Sequence, residues 1–322
     1  MSLANTTCLV IGGAGFIGSH VVSVLLEEGV GKVRVYDNLA RGDIEYLTSS
    51  LKDDRCSFYQ NGGDVRDVDL LNDAMQGVDC VIHLAAMWLL HCKDFPRTAF
   101  HVNIEGTFNV LEACVNNKVK RLVYSSSASV YGDASEVPMT ESHPFNNRNF
   151  YGSTKIAGEA MCRAFYDRYG LDYVGLRYMN VYGPHQDQTA AYTGVIPIML
   201  NKIDANEAPI INGDGSQAYD FIDVRDVARC NLLALKSEAT DEFYNVGTGV
   251  QTSIRQLCDT ILDLKESDLE VTYKPYSEDD ARRMVQNRIG CPEKAKRELD
   301  FEYEIELKQG LQDLIAWREA NT

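Results

Sequence analysis

The chain has 322 residues, of which 45% are hydrophobic and 24% are charged, and its formal net charge at pH 7 is -16. This composition is typical of a globular protein with one large or two coupled domains, and it excludes a disordered chain. The excess of acidic residues argues against nucleic acid or an anionic membrane surface as the main partner, because both carry negative charge.

The nine cysteines are scattered and odd in number, without the spacing of a metal site or a disulfide framework. We expect them to be small buried residues in a reducing compartment. His91-Cys92 lacks partners at ligand spacing, so no metal is predicted. There is no signal-peptide pattern and no apolar run near the roughly 18 residues that a membrane span needs. A cytoplasmic protein with no membrane partner is therefore expected.

Short apolar runs alternate with helical patterns through the first half of the chain. Strands are predicted at 8–11, 32–36, 56–59, 80–85, 121–124 and 173–176. Helices are predicted at 16–28, about 96–117 and 151–169. Continuous apolar strands that alternate with helices indicate a parallel sheet covered by helices on both faces. The predicted class is α/β, with a doubly wound parallel sheet.

The pattern becomes less regular after about residue 181. Breaks rich in glycine and proline divide the chain into shorter units, at 183–184, 207–209 and 213–215. A helix at 223–235 and a strand at 243–246 still suit the main sheet, and a last helix is predicted at about 307–320. The sequence thus predicts a first domain over 1–180, to which 219–247 returns. A smaller C-terminal α/β domain would consist of 181–218 and 248–322.

Three glycines, Gly12, Gly15 and Gly18, lie between the first predicted strand and the first helix. This spacing lets the chain turn tightly and lets its backbone approach a pyrophosphate at the helix N-terminus. An isolated glycine triplet is more often a simple turn. The strand before it and the helix after it favour a Rossmann-type dinucleotide site instead.

Asp37 ends the second predicted strand, where a carboxylate would bind the adenine ribose hydroxyls. The alternative is a turn residue together with Asn38. A carboxylate at this position repels a 2'-phosphate, so NAD is predicted rather than NADP. The nearby Arg41 is the one residue that argues for NADP. Asp64-Val65 follows the third strand and is placed to meet adenine, although it also suits the start of a loop and helix.

Tyr151 and Lys155 are separated by one helical turn and therefore project from one face of the predicted helix. An ammonium group there favours the phenolate, so we expect a lowered tyrosine pKa and a general acid/base. The serines at 125–127 end the fifth strand and can share the substrate proton. The Tyr/Lys pair alone is weak evidence, because exposed pairs at this spacing are common.

Taken together, these residues resemble the extended short-chain dehydrogenase/reductases, especially the NAD-dependent nucleotide-sugar epimerases that act on UDP-glucose and UDP-galactose. The resemblance covers nearly the whole chain. Its further marks are His83-Leu84-Ala85-Ala86, Asn103 in Asn-Ile-Glu-Gly-Thr, Ser-Ser-Ser-Ala-Ser-Val-Tyr-Gly at 125–132, Arg-Tyr-Met-Asn-Val-Tyr-Gly-Pro at 177–184, Gly213-Asp214-Gly215 and Tyr244-Asn245-Val246-Gly247. So many matches in order are more specific than any single motif.

The resemblance implies roles for individual residues and for the two domains. The implied catalytic residues are Ser127, Tyr151 and Lys155, with Lys155 also holding the nicotinamide ribose. The implied NAD contacts are Gly12, Gly15, Phe16, Ile17, Gly18, Asp37, Asn38, Asp64, Val65, Leu84, Ala85, Ala86, Asn103, Ser125, Tyr151, Lys155 and Tyr178. The implied nucleotide-sugar contacts are Trp88, Ser127, Ser129, Tyr151, Asn180, Tyr219, Arg225, Arg282 and Arg288. The first domain would bind NAD and the second the nucleotide sugar.

The resemblance also implies a homodimer. The helices at about 98–117 and 151–169 match those that form the dimer interface in the family. Core packing is the alternative explanation for their apolar faces.

The expected reaction is inversion at C4 of the sugar through a transient 4-keto intermediate. Related 4,6-dehydratases carry an Asp-Glu pair just after the catalytic hydroxyl, whereas this chain has Ala128-Ser129, which cannot protonate a leaving hydroxyl. The remaining alternatives are a dehydratase or another oxidoreductase of the same family, or a non-catalytic NAD(H)-binding protein. The complete Ser127, Tyr151 and Lys155 set argues against the last of these.

Several positions depart from the family pattern. Tyr219 stands where relatives commonly place an arginine on the substrate diphosphate, so Arg225, Arg282 or Arg283 are candidates to supply that charge. The alternative for Arg282 and Arg283 is that they form a solvated pair beside Asp279-Asp280.

The identity of the sugar depends on three further residues. Trp88 would narrow the pocket or stack on a sugar ring, unless it is a core residue. Arg288 matches the position that gates bulky 2-substituents, and a long side chain there disfavours N-acetyl sugars. Asp187 offers no cation for a uronate carboxylate, which disfavours uronic acids. UDP-glucose and UDP-galactose are therefore the default substrates.

Overall fold

A computed structural model of the chain describes residues 3–187, 194–276 and 285–321, with a seven-stranded parallel sheet at its centre. The strands are β1 Thr7–Ile11, β2 Lys32–Tyr36, β3 Cys56–Phe58, β4 Cys80–His83, β5 Arg121–Ser127, β6 Tyr173–Tyr178, β7 Asn180–Tyr182, β8 Ile210–Asn212, β9 Ala218–Tyr219, β10 Phe221–Asp223, β11 Glu242–Val246, β12 Thr252–Ser253, β13 Thr272–Lys274 and β14 Asn287–Arg288.

Helices connect these strands in most of the described chain. They are α1 Phe16–Glu27, α2 Val68–Ala74, α3 Leu89–Asp94, α4 Pro96–Ala99, α5 Gly106–Asn116, α6 Phe150–Tyr169, α7 Val195–Asp204, α8 Val224–Lys236, α9 Ile254–Leu264, α10 Glu293–Leu299 and α11 Leu307–Ala320. Short 3-10 turns lie at Ile44–Leu47, Ser50–Lys52 and Ala128–Val130, and a π-helical turn lies at Phe100–Glu105.

The seven-stranded sheet has the spatial order β11-β6-β5-β4-β1-β2-β3, and each of its pairs is parallel. Because the strands point the same way, their carboxyl ends meet at one edge of the sheet. That edge holds the glycine loop after β1, Asp37 after β2, the loop after β4 and the serines that end β5. Residues far apart in sequence thus lie close together there.

Helices cover both faces of this sheet. One apolar cluster joins α1 and α8 to the strands through residues such as Leu25 and Val227. A second cluster joins α2, α5 and α6 to the other face, with Leu71 and Phe165 among its members. Burial on both faces explains why β1 is a continuous apolar run rather than an alternating one. The predicted doubly wound α/β fold is confirmed.

After β6 the chain builds small sheets beside the main one. β7 pairs with β10, β8 pairs with β13, and β9 lies between β12 and β14. Helices α7, α9 and α11 share an apolar cluster that includes Leu200, Leu257 and Leu311. β11 then joins β6 in the main sheet and α8 packs on α1. The division into domains 1–180 with 219–247, and 181–218 with 248–322, stays a prediction.

Most predicted elements begin within a residue of their observed start, but the helix expected at about 96–117 is not regular. It consists of α4, the π-helical turn and α5, and Asn103 lies in that turn. Sequence reasoning also did not predict α3, α7 or α9. Across the described ranges, none of the helices combines the length and the apolar character needed to cross a bilayer.

Candidate active site

The glycine loop between β1 and α1 is packed too closely for side chains. A Cβ atom on Gly18 would lie 2.1 Å from the Gly12 carbonyl oxygen, and one on Gly12 would lie 2.7 Å from the Ala85 nitrogen. Gly12 also has a φ of +83°, which favours glycine. The loop therefore presents bare backbone at the start of α1, where a helix N-terminus favours phosphate.

Asp37 joins this loop to the end of β2. Its carboxylate accepts the backbone N–H of Ala14 at 3.0 Å and that of Leu39 at 2.8 Å. Burial raises the pKa of Asp37, and these two hydrogen bonds oppose the rise. Because a carboxylate accepts several hydrogen bonds, Asp37 keeps acceptor capacity for ribose hydroxyls. The bare glycine backbone and Asp37 together fit NAD.

Most of the other predicted cofactor residues lie around the same edge of the sheet. They are Phe16 and Ile17 in the first turn of α1, Asn38 after β2, Asp64 and Val65 after β3, and Leu84, Ala85 and Ala86 after β4. The Asp64 carboxylate forms an ion pair with Arg66 at 2.5 Å, which lowers the Asp64 pKa.

The resemblance places Asn103 and Tyr178 at NAD, but the structure directs their polar groups into the protein. Asn103 Oδ1 accepts the Met87 N–H at 2.6 Å, and its Nδ2 donates to Thr154 Oγ1 at 3.1 Å. Tyr178 Oη lies 2.9 Å from Ser125 Oγ and donates to Asn231 Oδ1 at 2.9 Å. Buried polar groups require such partners. Asn103 therefore positions the loop after β4, and Tyr178 braces the end of β5.

Helix α6 carries the predicted acid/base pair near its N-terminus. Asn149 caps the helix, because its Oδ1 accepts the Gly152 N–H at 2.7 Å. Gly170, with a φ of 68°, ends it in the left-handed conformation. This start fixes Tyr151 and Lys155 on the face that packs against the end of β5.

The three predicted catalytic residues meet at this point. Ser127 hydrogen-bonds Tyr151 and lowers its pKa. Lys155 Nζ lies 5.7 Å from the centre of the Tyr151 ring and donates to the Ser125 carbonyl oxygen at 2.7 Å. The arrangement can hold a substrate hydroxyl between Ser127 and Tyr151 and move its proton.

The sequence predicts that Lys155 lowers the Tyr151 pKa, but in the protein by itself this pKa is raised. Burial raises the Tyr151 pKa to about 12, outweighing the opposing effects of Ser127 and Arg288. Burial also lowers the Lys155 pKa to about 8. Desolvation penalises the charged form of each group, and the Lys155 ammonium is directed at a carbonyl rather than at the phenol.

Trp88 ends the loop after β4 and lies against Arg41. The Arg41 guanidinium carbon is 4.6 Å from the centre of the Trp88 ring, and Arg41 pairs with Asp187 at 3.2 Å. Within the described ranges, Trp88 Nε1 is buried and has no hydrogen-bond partner. An unpaired buried N–H is costly, and in the part of the chain that the structure describes no hydrogen bond offsets this cost at Trp88.

Four more predicted substrate residues have defined places. Ser129 is buried in the 3-10 turn after β5, and Asn180 opens β7 with its Nδ2 donating to the Asp220 carbonyl oxygen at 3.1 Å. Tyr219 on β9 pairs in register with Arg288 on β14. The charge of Arg288 lowers the Tyr151 pKa, so Arg288 lies near the catalytic tyrosine.

Arg225 is not brought to this site. Its guanidinium pairs with Asp223 at 2.9 Å and with Asp313 of α11 at 2.8 Å. It lines a surface depression with Val24 and Glu28 on the outer side of α1. The proposed diphosphate role of Arg225 is therefore corrected, because two carboxylates already hold its charge. Arg282 and Arg283 lie outside the described residues.

Sequence reasoning missed a buried ion pair behind the catalytic residues. Glu159 accepts from Arg177 Nε at 2.9 Å and Nη2 at 2.7 Å, and from Ser126 Oγ at 2.5 Å. The pair ties α6 to β5 and β6. The sequence did contain a signal for this ion pair, because Glu159 lies one helical turn beyond Lys155 and therefore on the same helix face. Among the described residues, no three His, Cys, Asp or Glu side chains group as a metal site.

A Rossmann sheet with a glycine loop, an acidic residue after β2 and a Tyr/Lys pair beside a serine defines an NAD-dependent enzyme of the short-chain dehydrogenase/reductase type. The sequence model of the NAD dependent epimerase/dehydratase family matches residues 8–247. The chain belongs to this family, which confirms the predicted resemblance and the NAD cofactor.

Individual relatives match over nearly the whole chain. A UDP-glucose 4-epimerase from Halalkalibacterium halodurans is 33% identical over 312 residues, covering 91% of this chain and 90% of its own. A UDP-N-acetylglucosamine 4-epimerase from Methanobrevibacter ruminantium, solved with UDP-N-acetylmuramic acid, is 32% identical, with a TM-score of 0.92 and 99% of both chains covered. The dTDP-glucose 4,6-dehydratase DesIV from Streptomyces venezuelae, solved with NAD, is 28% identical, with a TM-score of 0.89 and 98% of both chains covered.

Proposed function

We propose that the protein interconverts the C4 epimers of a UDP-hexose. UDP-glucose and UDP-galactose are the neutral pair that the sequence resemblance favours, and the names of two relatives support UDP as the nucleotide. The observation that carries the proposal is the assembly of Ser127, Tyr151 and Lys155 beside a glycine loop that fits NAD. Proton transfer and reversible oxidation of one carbon then occur at one place.

The chain's residues move the proton while the cofactor handles the electrons. Tyr151 in its phenolate form accepts the proton of the sugar O4, and Ser127, which lowers the Tyr151 pKa, hydrogen-bonds the same hydroxyl. NAD, when bound, supplies the acceptor for the C4 hydride and the donor for its return. Once the 4-keto sugar has rotated in the site, Tyr151 returns the proton to O4, while bound NADH would supply hydride to the opposite face of C4. No net oxidation results, so the reaction is an isomerisation.

Dehydration is the alternative that the Streptomyces relative raises. Loss of water from the sugar needs a second acid close to the catalytic hydroxyl. At the two positions after Ser127 this chain has Ala128 and Ser129, both buried. Neither protonates a leaving hydroxyl, and this favours epimerisation. The complete catalytic set in turn argues against a non-catalytic NAD-binding protein.

The proposal is tested by incubating the NAD-loaded protein with UDP-glucose, UDP-galactose, UDP-glucuronate and the GDP, CDP and dTDP counterparts of the two neutral sugars. The expected result is C4-inverted UDP-sugar, detected by NMR or chromatography, without net formation of NADH. A 4-keto-6-deoxy sugar as the product, or no turnover of any nucleotide sugar, would overturn it.

We further propose that 181–218 and 248–322 bind the nucleotide sugar and that the protein is cytoplasmic and homodimeric. The nine cysteines are free thiols, as suits a reducing compartment.

The proposed dimer interface is formed by α5 and α6, which carry large exposed side chains: Phe108 on α5, and Phe150 and Tyr169 on α6. The expected mass in solution is twice the 36.0 kDa of one chain. Phe108→Glu should shift it toward the monomer in sedimentation equilibrium, and a monomeric parent would refute the assignment.

A further inference from the structure

Arg288 lies beside Tyr219 on the strand pair β9–β14. The two residues are partners in a parallel register, so their side chains leave the same face of the pair. Tyr219 Oη donates to the Val285 carbonyl oxygen at 2.9 Å, which holds the phenol against the protein. The Arg288 carbonyl oxygen accepts the Asp220 N–H at 3.0 Å, so the backbone of Arg288 is also fixed.

Within the described part of the chain, the Arg288 side chain forms no ion pair, although the charge of Asp133 acts on it. Its Nε is buried and has no hydrogen-bond partner among the described residues. The charged and titratable groups that influence it are Tyr219, Asp133 and Tyr151. Burial lowers the Arg288 pKa, but a guanidinium remains charged at neutral pH. A guanidinium whose Nε–H has no partner away from water is unfavourable until an acceptor binds it.

The position of Arg288 indicates where that anion belongs on the substrate. Its strand partner is Tyr219, and its charge makes a small contribution that lowers the Tyr151 pKa, so Arg288 belongs to the same region of the protein as the catalytic tyrosine. A molecule held between Tyr151 and Tyr219 would present its hexose ring to Arg288. A planar guanidinium binds a carboxylate through two parallel hydrogen bonds.

We propose that Arg288 selects UDP-hexoses that carry a carboxylate on the sugar, such as a UDP-uronic acid. The proposal rests on the proposed function, since it assigns the substrate class of the same site. The cation comes from β14 rather than from position 187, where Asp187 is paired with Arg41. The proposal thus differs from the sequence argument, which considered only position 187.

The test measures binding to the NAD-loaded protein by calorimetry with three probes: UDP-glucuronate, UDP-glucose and UDP. The variants are Arg288→Gln, Arg288→Lys and the control Arg297→Gln, which removes an exposed guanidinium from α10. We expect Arg288→Gln to weaken UDP-glucuronate binding by roughly ten- to a hundredfold, the size of a charge-assisted hydrogen bond. UDP-glucose and UDP should change less than about threefold, Arg288→Lys should recover part of the loss, and Arg297→Gln should match the parent.

Two results would overturn the proposal. If Arg288→Gln weakened the binding of all three probes equally, Arg288 would be assigned to the diphosphate that the probes share. Unchanged binding with a shifted pH profile of turnover would make it a positioning residue for Tyr151. C4 inversion is assayed separately, so the two proposals fail independently. Selective loss of UDP-glucuronate binding without C4 inversion of any sugar would refute only the epimerase, and C4 inversion of UDP-glucose without selective loss would refute only the role of Arg288.

Discussion

Tyr151→Phe is expected to lower the turnover number for C4 inversion by about 10²- to 10⁴-fold, the usual contribution of a general acid/base. Phenylalanine keeps the ring in place and removes only the hydroxyl that Ser127 contacts. NAD should remain bound, because the glycine loop and Asp37 are unchanged. Single-turnover kinetics and the NAD content of the purified variant are the measurements.

The matched control for this variant is Tyr169→Phe. Tyr169 lies on the same helix, but its side chain is 57% exposed at the far end. Phenylalanine keeps the aromatic ring that the proposed dimer interface would use, so Tyr169→Phe should leave turnover within about twofold of the parent. A Tyr151→Phe protein that kept a tenth or more of the parental rate would remove Tyr151 from the mechanism.

Glu159→Gln is expected to lower the free energy of unfolding by about 3–5 kcal/mol, the cost of breaking a buried ion pair from one side. Both side chains of the pair are only 5% exposed. The variant leaves the Arg177 charge buried without its carboxylate, although Tyr131 Oη and the Glu141 carbonyl oxygen still accept from Nη1. Urea denaturation of the NAD-free protein measures the change.

Asp167→Asn is the control, because Asp167 is an exposed carboxylate on the same helix. Its unfolding midpoint should match that of the parent. A double variant, Glu159→Leu with Arg177→Met, should recover part of the stability, since it removes both charges together. An unchanged midpoint in Glu159→Gln would mean that the pair does not hold α6 against β5 and β6.

The sheet and the cofactor loop could be predicted because their signals are local. Continuous apolar runs mark the central strands, and the spacing of Gly12, Gly15 and Gly18 follows from how closely the backbone segments approach. The Tyr151 and Lys155 pair also lies within one helical turn. In each case the residues that matter are neighbours in the sequence.

The predictions that needed correction depend on contacts between distant residues. One of the two carboxylates that pair with Arg225 is Asp313, on a helix near the other end of the described chain. The rise in the Tyr151 pKa comes from burial by several elements together, which the i,i+4 spacing does not reveal. The hydrogen bonds of Asn103 to Met87 and Thr154 are likewise made between elements that the sequence does not show to be neighbours. Local pattern indicates which groups are present, and tertiary packing decides what each one faces.

The order of the strands also has a consequence for synthesis on the ribosome. β6 ends at Tyr178, but its neighbour β11 is complete only at Val246, after the small sheets have begun. At about 5–20 residues per second, the nascent sheet keeps an open β6 edge for roughly 3–14 s. An unpaired apolar edge is a template for pairing with another chain. This open edge therefore exists before the chain has left the ribosome, and slower translation would lengthen its exposure.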